Sequence, residues 1–354
     1  MGDSQPILSV VVSTFNRSGD LERCLDAVLA QQDSPPHEVI VVDNNSTDDT
    51  RGVVERRQAD RPHLRYVFEP RQGLPHARNA GIAAAAADVV AFTDDDIVVA
   101  PDWVASIARA FERHPEADCI GGRVLPRWPA GGPPAWLSPA QLAPLALQDK
   151  GTAEMRVDRS NAAPCLIGAN FAFRRRAFER VGLFDPDYTR TQDREIQLRL
   201  WDAGGIGLYT PDIVTYVNVP AERLTKEYFR LWYTRAGRFH SRMGLLDRLD
   251  HQGRMVDRPA REATLFGAPA YLYRQLAAAV AAAFAKLAVG DEAGAFLHEN
   301  RARYLASYIK ERWRAQRPAS PVAACGEVAR FLGRRLSRRP VPVLAARSSR
   351  EPQP

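Results

Sequence analysis

Hydrophobic and polar positions alternate in blocks along the first half of the chain. Ile7 to Ser13 is an unbroken apolar run bounded by Pro6 and Asn16, the pattern of a strand buried on both faces. Leu21, Cys24, Leu25, Val28 and Leu29 recur at helical spacing within Asp20 to Gln31. Glu38 to Val42 predicts a second strand, and Thr47 to Gln58 a helix that Ser46 or Thr47 can cap. Leu64 to Phe68 predicts a third strand, Leu74 to Ala87 an alanine-rich helix, Val89 to Thr93 a fourth strand and Trp103 to Phe111 a further helix. Such β-α-β-α repetition implies an α/β fold, a mostly parallel sheet covered by helices on both faces.

Beyond this the signals change. Leu125 to Pro144 is rich in proline, glycine and tryptophan and reads as a long irregular loop, with Trp128 and Trp136 suited to a flap over a bound ligand. Ala163 to Arg174 resumes strand character, and Arg194 to Ala203 is a helix stopped by Gly204-Gly205. After Leu224 aromatics and arginines interleave at helical spacing. The expected division is a catalytic-type domain over 1–224, a helical appendage over 225–316 and a basic, proline- and arginine-rich tail over 317–354.

Composition narrows the setting. The hydrophobic content of 45% and charged content of 25% are those of a folded soluble chain of 354 residues. Cys24, Cys119, Cys165 and Cys325 lie far apart, which argues against a disulfide framework or zinc site and fits a reducing cytoplasm. The N-terminus lacks the pattern of a secretion signal, and no apolar run reaches the length of a membrane span. The net charge of +6 comes largely from terminal arginines. No nucleic-acid recognition motif accompanies them, so nucleic acid is not an expected partner. Peripheral contact with an anionic membrane, at the inner face of the cell membrane, is the alternative that the basic tail and the apolar faces of Tyr228 to Phe239 and Phe266 to Val289 suggest.

The chemistry concentrates at strand ends. The apolar run at Val89 stops at Asp94, Asp95 and Asp96, and adjacent carboxylates repel unless a cation or ligand compensates them. Open α/β sheets bind ligands at the carboxyl ends of their strands, and hard divalent cations such as Mg²⁺ or Mn²⁺ favour carboxylates with phosphate oxygens. The other tips read Thr14-Phe15-Asn16-Arg17 and Asp43-Asn44-Asn45-Ser46-Thr47. An aromatic ring there can stack on a base and a carboxylate can accept its N–H. Together the three tips point to a metal-bridged nucleotide diphosphate.

At this point the chain resembles bacterial-type family-2 glycosyltransferases of the GT-A fold. The segments SVVVSTFNR, EVIVVDNNSTDDT, GLPHARNAGIAAAAADVVAFTDDDIV, IGANFAFRR with VGLFD, and TQDREIQLRLWDAGGIGLYTPDIVTYV carry the likeness over roughly residues 7 to 220. The resemblance implies a metal-dependent, inverting transfer of a sugar from a nucleotide-diphosphate donor to an acceptor hydroxyl on a glycan, lipid or small molecule, in cell-envelope or polysaccharide synthesis. It assigns the donor to Thr14, Phe15, Asn16, Asp43, Asn44, Ser46, Arg78, Asp94 and Asp95. Asp94 to Asp96 form the D-x-D-type motif, with Asp96 as the leading metal ligand and Asp94 as the second. Arg78 either meets a phosphate or buttresses the acidic motif. Asp193 is the catalytic base and Glu195 the fallback. Gly168 and Asn170 mark the acceptor side, where a small residue lets the backbone approach the sugar.

Two departures from the family pattern stand out. The pair before the helix is Gln192-Asp193 rather than Glu-Asp, so the neighbouring carboxylate is lost. Tyr216 is followed by Val217 and Asn218, where many relatives place a ligating histidine, which leaves the aspartates as the main hold on the metal. His240 is the nearby histidine in sequence and is expected to be an ordinary surface or core residue. A nucleotidyltransferase would carry a glycine-rich phosphate loop after strand one, and Ser13 to Asp20 is not one. A catalytically inactive sugar-nucleotide-binding or scaffold protein is the remaining alternative.

Overall fold

Every residue of the first strand is buried, because helices cover the sheet on both of its faces. The computed structural model describes residues 5–257, 264–316, 326–329 and 331. The chain runs β1 (Leu8–Thr14), α1 (Ser18–Leu29), β2 (His37–Asp43), α2 (Thr50–Gln58), β3 (Leu64–Phe68), α3 (Leu74–Ala84), β4 (Val89–Asp94), β5 (Ile97–Val99) and α4 (Trp103–Arg113). It continues through β6 (Cys119–Arg127), β7 (Met155–Val157), β8 (Phe171–Arg174), α5 (Arg175–Val181), α6 (Gln192–Asp202) and β9 (Gly207–Asn218). Helices α7 (Lys226–Arg242), α8 (Leu245–Arg248), α9 (Ala270–Ala288) and α10 (Glu292–Ala315) follow, with a small hairpin at Thr264–Leu265 and Ala268–Pro269 before α9.

The nine strands form one sheet in the order β3-β2-β1-β4-β8-β6-β9-β5, with β7 also paired to β9. The first four are mutually parallel, and β8 lies antiparallel between β4 and β6. Since β6 and β9 are parallel to each other, six strands share one direction, as the repeating pattern predicts. Val10 and Val12 face the helices α1, α2 and α4, while Val11 faces α3, α5 and α6, the alternation a pleated strand imposes. Between Gly121 and Arg123 the β6–β9 register shifts, and a Cβ on Gly122 would stand 1.9 Å from the Ile213 carbonyl oxygen.

Several element ends depart from the pattern for local reasons. Helix α3 stops at Ala84 rather than Ala87, because Ala86 N–H donates to Glu38 and Ala87 N–H to Ser9 Oγ. Helix α2 begins at Thr50 instead of Thr47. Asp48, not Ser46 or Thr47, accepts from the Thr50 amide and hydroxyl, while Ser46 Oγ is taken by the Asn16 N–H. The strand expected from Ala163 forms at Phe171, since the Ala162 and Ala163 amides turn to the Gly253 carbonyl. The loop after β6 is not a free flap. Trp136 packs edge-on against Phe229 of α7 and Phe296 of α10, at 5.1 and 5.0 Å between ring centres.

Helices α7, α9 and α10 share a third apolar cluster around Leu272, Tyr304, Leu305 and Tyr308. Through Phe229 and Phe296 this appendage also joins the main core. Among the described residues no helix is long and apolar enough to cross a membrane. Cys24, Cys119 and Cys165 are free thiols. The basic tail expected over 317–354, with Cys325, lies almost wholly outside the described residues.

Candidate active site

The order β2-β1-β4 reverses direction at β1, and a ligand crevice is expected where it does. The register sets the tips level: Thr14 lies opposite Asp43 and Ser13 opposite Asp94. A cleft of about 960 Å³ opens there, bounded by Phe15, Arg17, Asp94 and Asp96 on one side and by Asp193 and helix α7 on the other.

An arginine answers each aspartate, and Arg17 answers two of them. Asp94 ends β4, and its Oδ1 accepts from Arg78 at 3.3 Å. Asp95 turns inward, taking Thr14 Oγ1 at 2.8 Å and Arg17 at 3.1 Å. Asp96 takes Arg17 at 2.9 Å and Arg223 at 3.4 Å. Burial pushes the Asp95 carboxyl up to about 7; Arg17 pulls it down and Asp96 adds to the rise. Burial likewise raises Asp94, against Arg78, with Asp96 and Asp193 contributing. Burial works against the Arg17 charge, yet Asp95 and Asp96 together hold its guanidinium above its ordinary value.

Gly168 joins the two halves of the site. Its carbonyl accepts from Arg78 at 3.1 Å, and its N–H donates to Asp193 Oδ2 at 3.3 Å. A Cβ at this position would lie 2.5 Å from Arg78 Nη2. The room that glycine leaves is therefore filled by the Arg78 guanidinium, a different use from the expected approach of backbone to sugar. Arg78 is 2% exposed and lies over the rings of Phe92, Phe171 and Phe184, so it braces Asp94 from behind. Its Nη1 is buried without a partner among the described residues.

Asp193 sits in the first turn of α6, entered through Thr191 in the left-handed conformation (φ 59°). Its Oδ1 accepts the Arg194 N–H at 2.8 Å. Gln192 lines the same cleft, its Oε1 without a partner among the described residues. Glu195, by contrast, is buried and bound through both oxygens to Arg199, at 2.6 and 2.8 Å. Asn170 is fully buried: its amide donates to the Arg123 and Ile213 carbonyls and accepts from Trp103 Nε1. Neither residue borders the cleft.

On the donor side Phe15 borders the cleft and is 43% exposed. Asn16 adopts φ 51° and accepts from Thr47, which ties the β1 tip to the β2 tip. Asp43 is buried, one oxygen taking the Ser46 N–H at 2.8 Å and the other the Tyr66 hydroxyl at 2.7 Å. Asn44 ties down the next loop through Glu69, Arg71 and Gly73. Thr14, Asp43, Asn44 and Ser46 thus form the floor behind Phe15 rather than the cleft wall.

The pattern did not single out Arg17 or Arg223 as partners of the acidic triplet. A cation three residues beyond the end of a strand was the available signal for Arg17, and Arg223 offered none. Tyr228, Trp232 and His240 of α7 also line the cleft. His240 Nδ1 lies 3.0 Å from the Tyr304 hydroxyl, and burial, with Arg194 adding, holds its pKa down to about 3.

Among the described residues no three His, Cys, Asp or Glu side chains converge as a metal cage. Asp94 and Asp96 nonetheless supply hard oxygen donors at the cleft, and each is engaged by arginine through only one of its two oxygens. This partial set fits a divalent cation that takes its remaining ligands from phosphate and water.

Residues 9–182 match the model of glycosyl transferase family 2. The glucosyl-dolichyl phosphate glucuronosyltransferase of Haloferax volcanii is 32% identical over 198 residues, 54% of this chain and 59% of that one. The validoxylamine A glucosyltransferase of Streptomyces hygroscopicus subsp. limoneus is 41% identical over 108 residues, 30% of this chain and 24% of that one. The chain thus spans less than two thirds of these relatives' length. Among solved structures, the mannosyltransferase PcManGT of Pyrobaculum calidifontis, in complex with GDP-Man and Mn²⁺, shares the fold at 24% identity, with a TM-score of 0.59 and 88% of each chain covered.

Proposed function

We propose, from the match to glycosyl transferase family 2 over residues 9–182 and from the cleft, that the chain is a member of that family and transfers a sugar from a nucleotide-diphosphate donor to an acceptor hydroxyl, with inversion. The carrying observation is the placement of the Asp94–Asp96 tip and Asp193 across one cleft, linked through Arg78 and Gly168.

In this reading Phe15 stacks on the base, and the floor built by Asp43, Asn44 and Ser46 fixes the β1 and β2 tips that receive it. Asp96, with Asp94, would hold a divalent cation, Mn²⁺ or Mg²⁺, which when bound supplies positive charge to the leaving diphosphate. Arg17 and Arg223 on the same carboxylates keep the acidic tip assembled. Asp193 takes the acceptor proton as the new bond forms, which requires a carboxylate within hydrogen-bond reach of the hydroxyl. Its orientation comes from two backbone N–H groups, those of Gly168 and Arg194. Residues 1–224 carry the donor site, and the 225–316 appendage supplies Tyr228 and Trp232 to the acceptor wall. Contact with an anionic membrane through the appendage belongs to the same reading; Phe284, Leu287 and Val289 near the end of α9 are exposed.

The test is Asp193→Asn in a panel of nucleotide sugars. Transfer should be lost while donor binding with Mn²⁺ is retained. A wild type that binds donor but neither transfers nor hydrolyses it would favour the inactive binding protein instead.

A further inference from the structure

Helix α7 presents one stripe of its surface to the cleft. Tyr228, Trp232, Ala236 and His240 recur at intervals of four residues, and all four line it. The Tyr228 hydroxyl is already engaged by the Pro144 carbonyl, at 3.2 Å. At the far end of the stripe His240 follows Phe239, whose ring centre lies 6.4 Å from that of Tyr188. Tyr188 is followed directly by residues 189–193, which line the cleft and end on Asp193. His240 therefore stands beside the segment that carries the proposed base.

The imidazole is held by a buried partner. Its Nδ1 lies 3.0 Å from the Tyr304 hydroxyl of α10, and the two rings meet edge-on with centres 5.6 Å apart. Tyr304 is buried, and its hydroxyl has no other partner among the described residues. A buried hydroxyl needs an acceptor for its hydrogen. If Nδ1 carried the imidazole proton, the phenol hydrogen would be left unpaired. With Nδ1 bare, the phenol donates to it and the imidazole proton stands on Nε2. Burial, with Arg194 adding, keeps the ring neutral, so it has one such proton. Nε2 has no hydrogen bond among the described residues and is open to the cleft.

We propose that His240 is a specificity-determining residue for the acceptor: its Nε2–H donates to an acceptor oxygen, and Tyr304 is the positioning residue that fixes this tautomer. The proposal rests on reading the cleft as a glycosyl-transfer site. Trp232 precedes His240 by eight residues on the same stripe, a separation of about 12 Å along the helix. An acceptor that uses both extends along α7, with a ring face on the indole and an oxygen-bearing group beyond it. Two linked sugar rings suit that length better than one. A neutral N–H at this point selects an uncharged hydroxyl, ether or carbonyl oxygen over an ammonium or amide N–H.

The test assays the full chain with Mn²⁺ for transfer from a panel of nucleotide sugars. The acceptor probes are the methyl glycosides of glucose, galactose, mannose and N-acetylglucosamine, and disaccharides built from these sugars. The wild type should use a disaccharide better than the single glycosides. His240→Phe keeps a ring without its nitrogens and should raise KM for that disaccharide roughly 3- to 10-fold, with kcat within about 2-fold. His240→Gln returns an N–H near the same point and should recover most of the loss. An unchanged KM in His240→Phe, or equal losses in the two variants, overturns the proposal. A fall in Mn²⁺ binding in either variant assigns the imidazole to the metal and also overturns it. Long-range proton–nitrogen NMR spectra need no acceptor: the wild type should show His240 protonated at Nε2, and Tyr304→Phe a mixture of tautomers. A proton on Nδ1 in the wild type overturns the assignment. A wild type that hydrolyses donor but glycosylates none of the probes overturns the proposal and leaves the transfer reading standing, whereas one that does neither fails that reading itself.

Discussion

Replacing Gly168 by alanine puts a methyl group where the Arg78 guanidinium already is. The new Cβ would lie 2.5 Å from Nη2, 2.8 Å from Nη1 and 3.0 Å from Cζ. Gly168 is outside the left-handed region, so alanine fits the backbone and the cost is steric. Arg78 has little room to yield, with Phe92, Phe171 and Phe184 at 5.9, 5.2 and 5.5 Å from its guanidinium carbon. Overpacking of this kind costs about 1–3 kcal/mol. The chemical effect is separate. Arg78 holds the Asp94 carboxyl down against burial, so displacing it raises Asp94 further and keeps it protonated to higher pH. Nucleotide binding with Mn²⁺ should therefore fall more at pH 6 than at pH 8. Gly19→Ala in α1, with no atom within 4 Å of the new Cβ, is the control and should be neutral or stabilising by up to about 1 kcal/mol. Urea midpoints and nucleotide titrations at the two pH values measure both effects. A Gly168→Ala protein as stable as wild type, weakened only toward acceptor, would refute the argument and restore the idea that this glycine makes room for substrate.

The other predictions follow from single contacts. The Asp95 carboxyl sits at about 7 when folded, against about 3.9 unfolded, so the folded state holds its proton more tightly. That contribution is fully present below about pH 4 and is lost as pH rises through 7. In metal-free buffer, Asp95→Asn should thus gain stability relative to wild type between pH 4.5 and 7.5. The gain could reach a few kcal/mol, at about 1.4 kcal/mol per tenfold change in proton affinity; parallel urea profiles would rule this out. Glu195→Gln should lower stability by breaking a part-buried pair with Arg199 while leaving the pH profile of transfer in place, and a loss of transfer matching that of Asp193→Asn would make Glu195 the base instead. Phe15→Ala should cost nucleotide affinity about 1–3 kcal/mol through lost stacking, with little change in melting temperature because the ring is half exposed. Equal affinity for nucleotide and for free pyrophosphate changes across the pair would remove the ring from the base site.

How much of this was legible depends on how local the determining interactions are. Strands β1 to β4 and helices α1 to α4 announce themselves because burial on fixed faces writes a period into the sequence. The strand from Leu64 to Phe68 appears with the expected bounds. Strands β6 and β9 escape the same reading: a register shift at Gly122 interrupts one, and the other passes through Pro211. The site divides in the same way. The tips of β1, β2 and β4 were readable, since each is a polar stop after an apolar run. Their division of labour was not, because it is set by contacts distant in sequence. Tyr66 from β3 fills Asp43, Trp103 from α4 fills Asn170, and Arg199 fills Glu195. Each of these side chains has the right chemistry for a substrate and also serves a partner within the protein.

That internal use bears on the missing histidine near Asn218. Three adjacent carboxylates at a strand tip would repel one another, and a protein relying on a cation alone to offset them would assemble the tip only when loaded. Here Arg78, Arg17 and Arg223 already answer Asp94, Asp95 and Asp96 from three separate elements. Asp95 lines the cleft with both oxygens taken, by Thr14 and Arg17, whereas Asp94 and Asp96 each meet arginine through one oxygen among the described residues. The site is therefore preorganised, and a cation entering it competes with Arg17 and Arg223 for Asp96. Affinity for Mn²⁺ by itself should then be weak and should strengthen when a diphosphate draws those arginines toward its own oxygens. Titration of Mn²⁺ with and without saturating UDP or GDP measures this coupling. Equal Mn²⁺ affinity in the two titrations would mean that the arginines do not move, and that Asp94 and Asp96 hold the ion unaided.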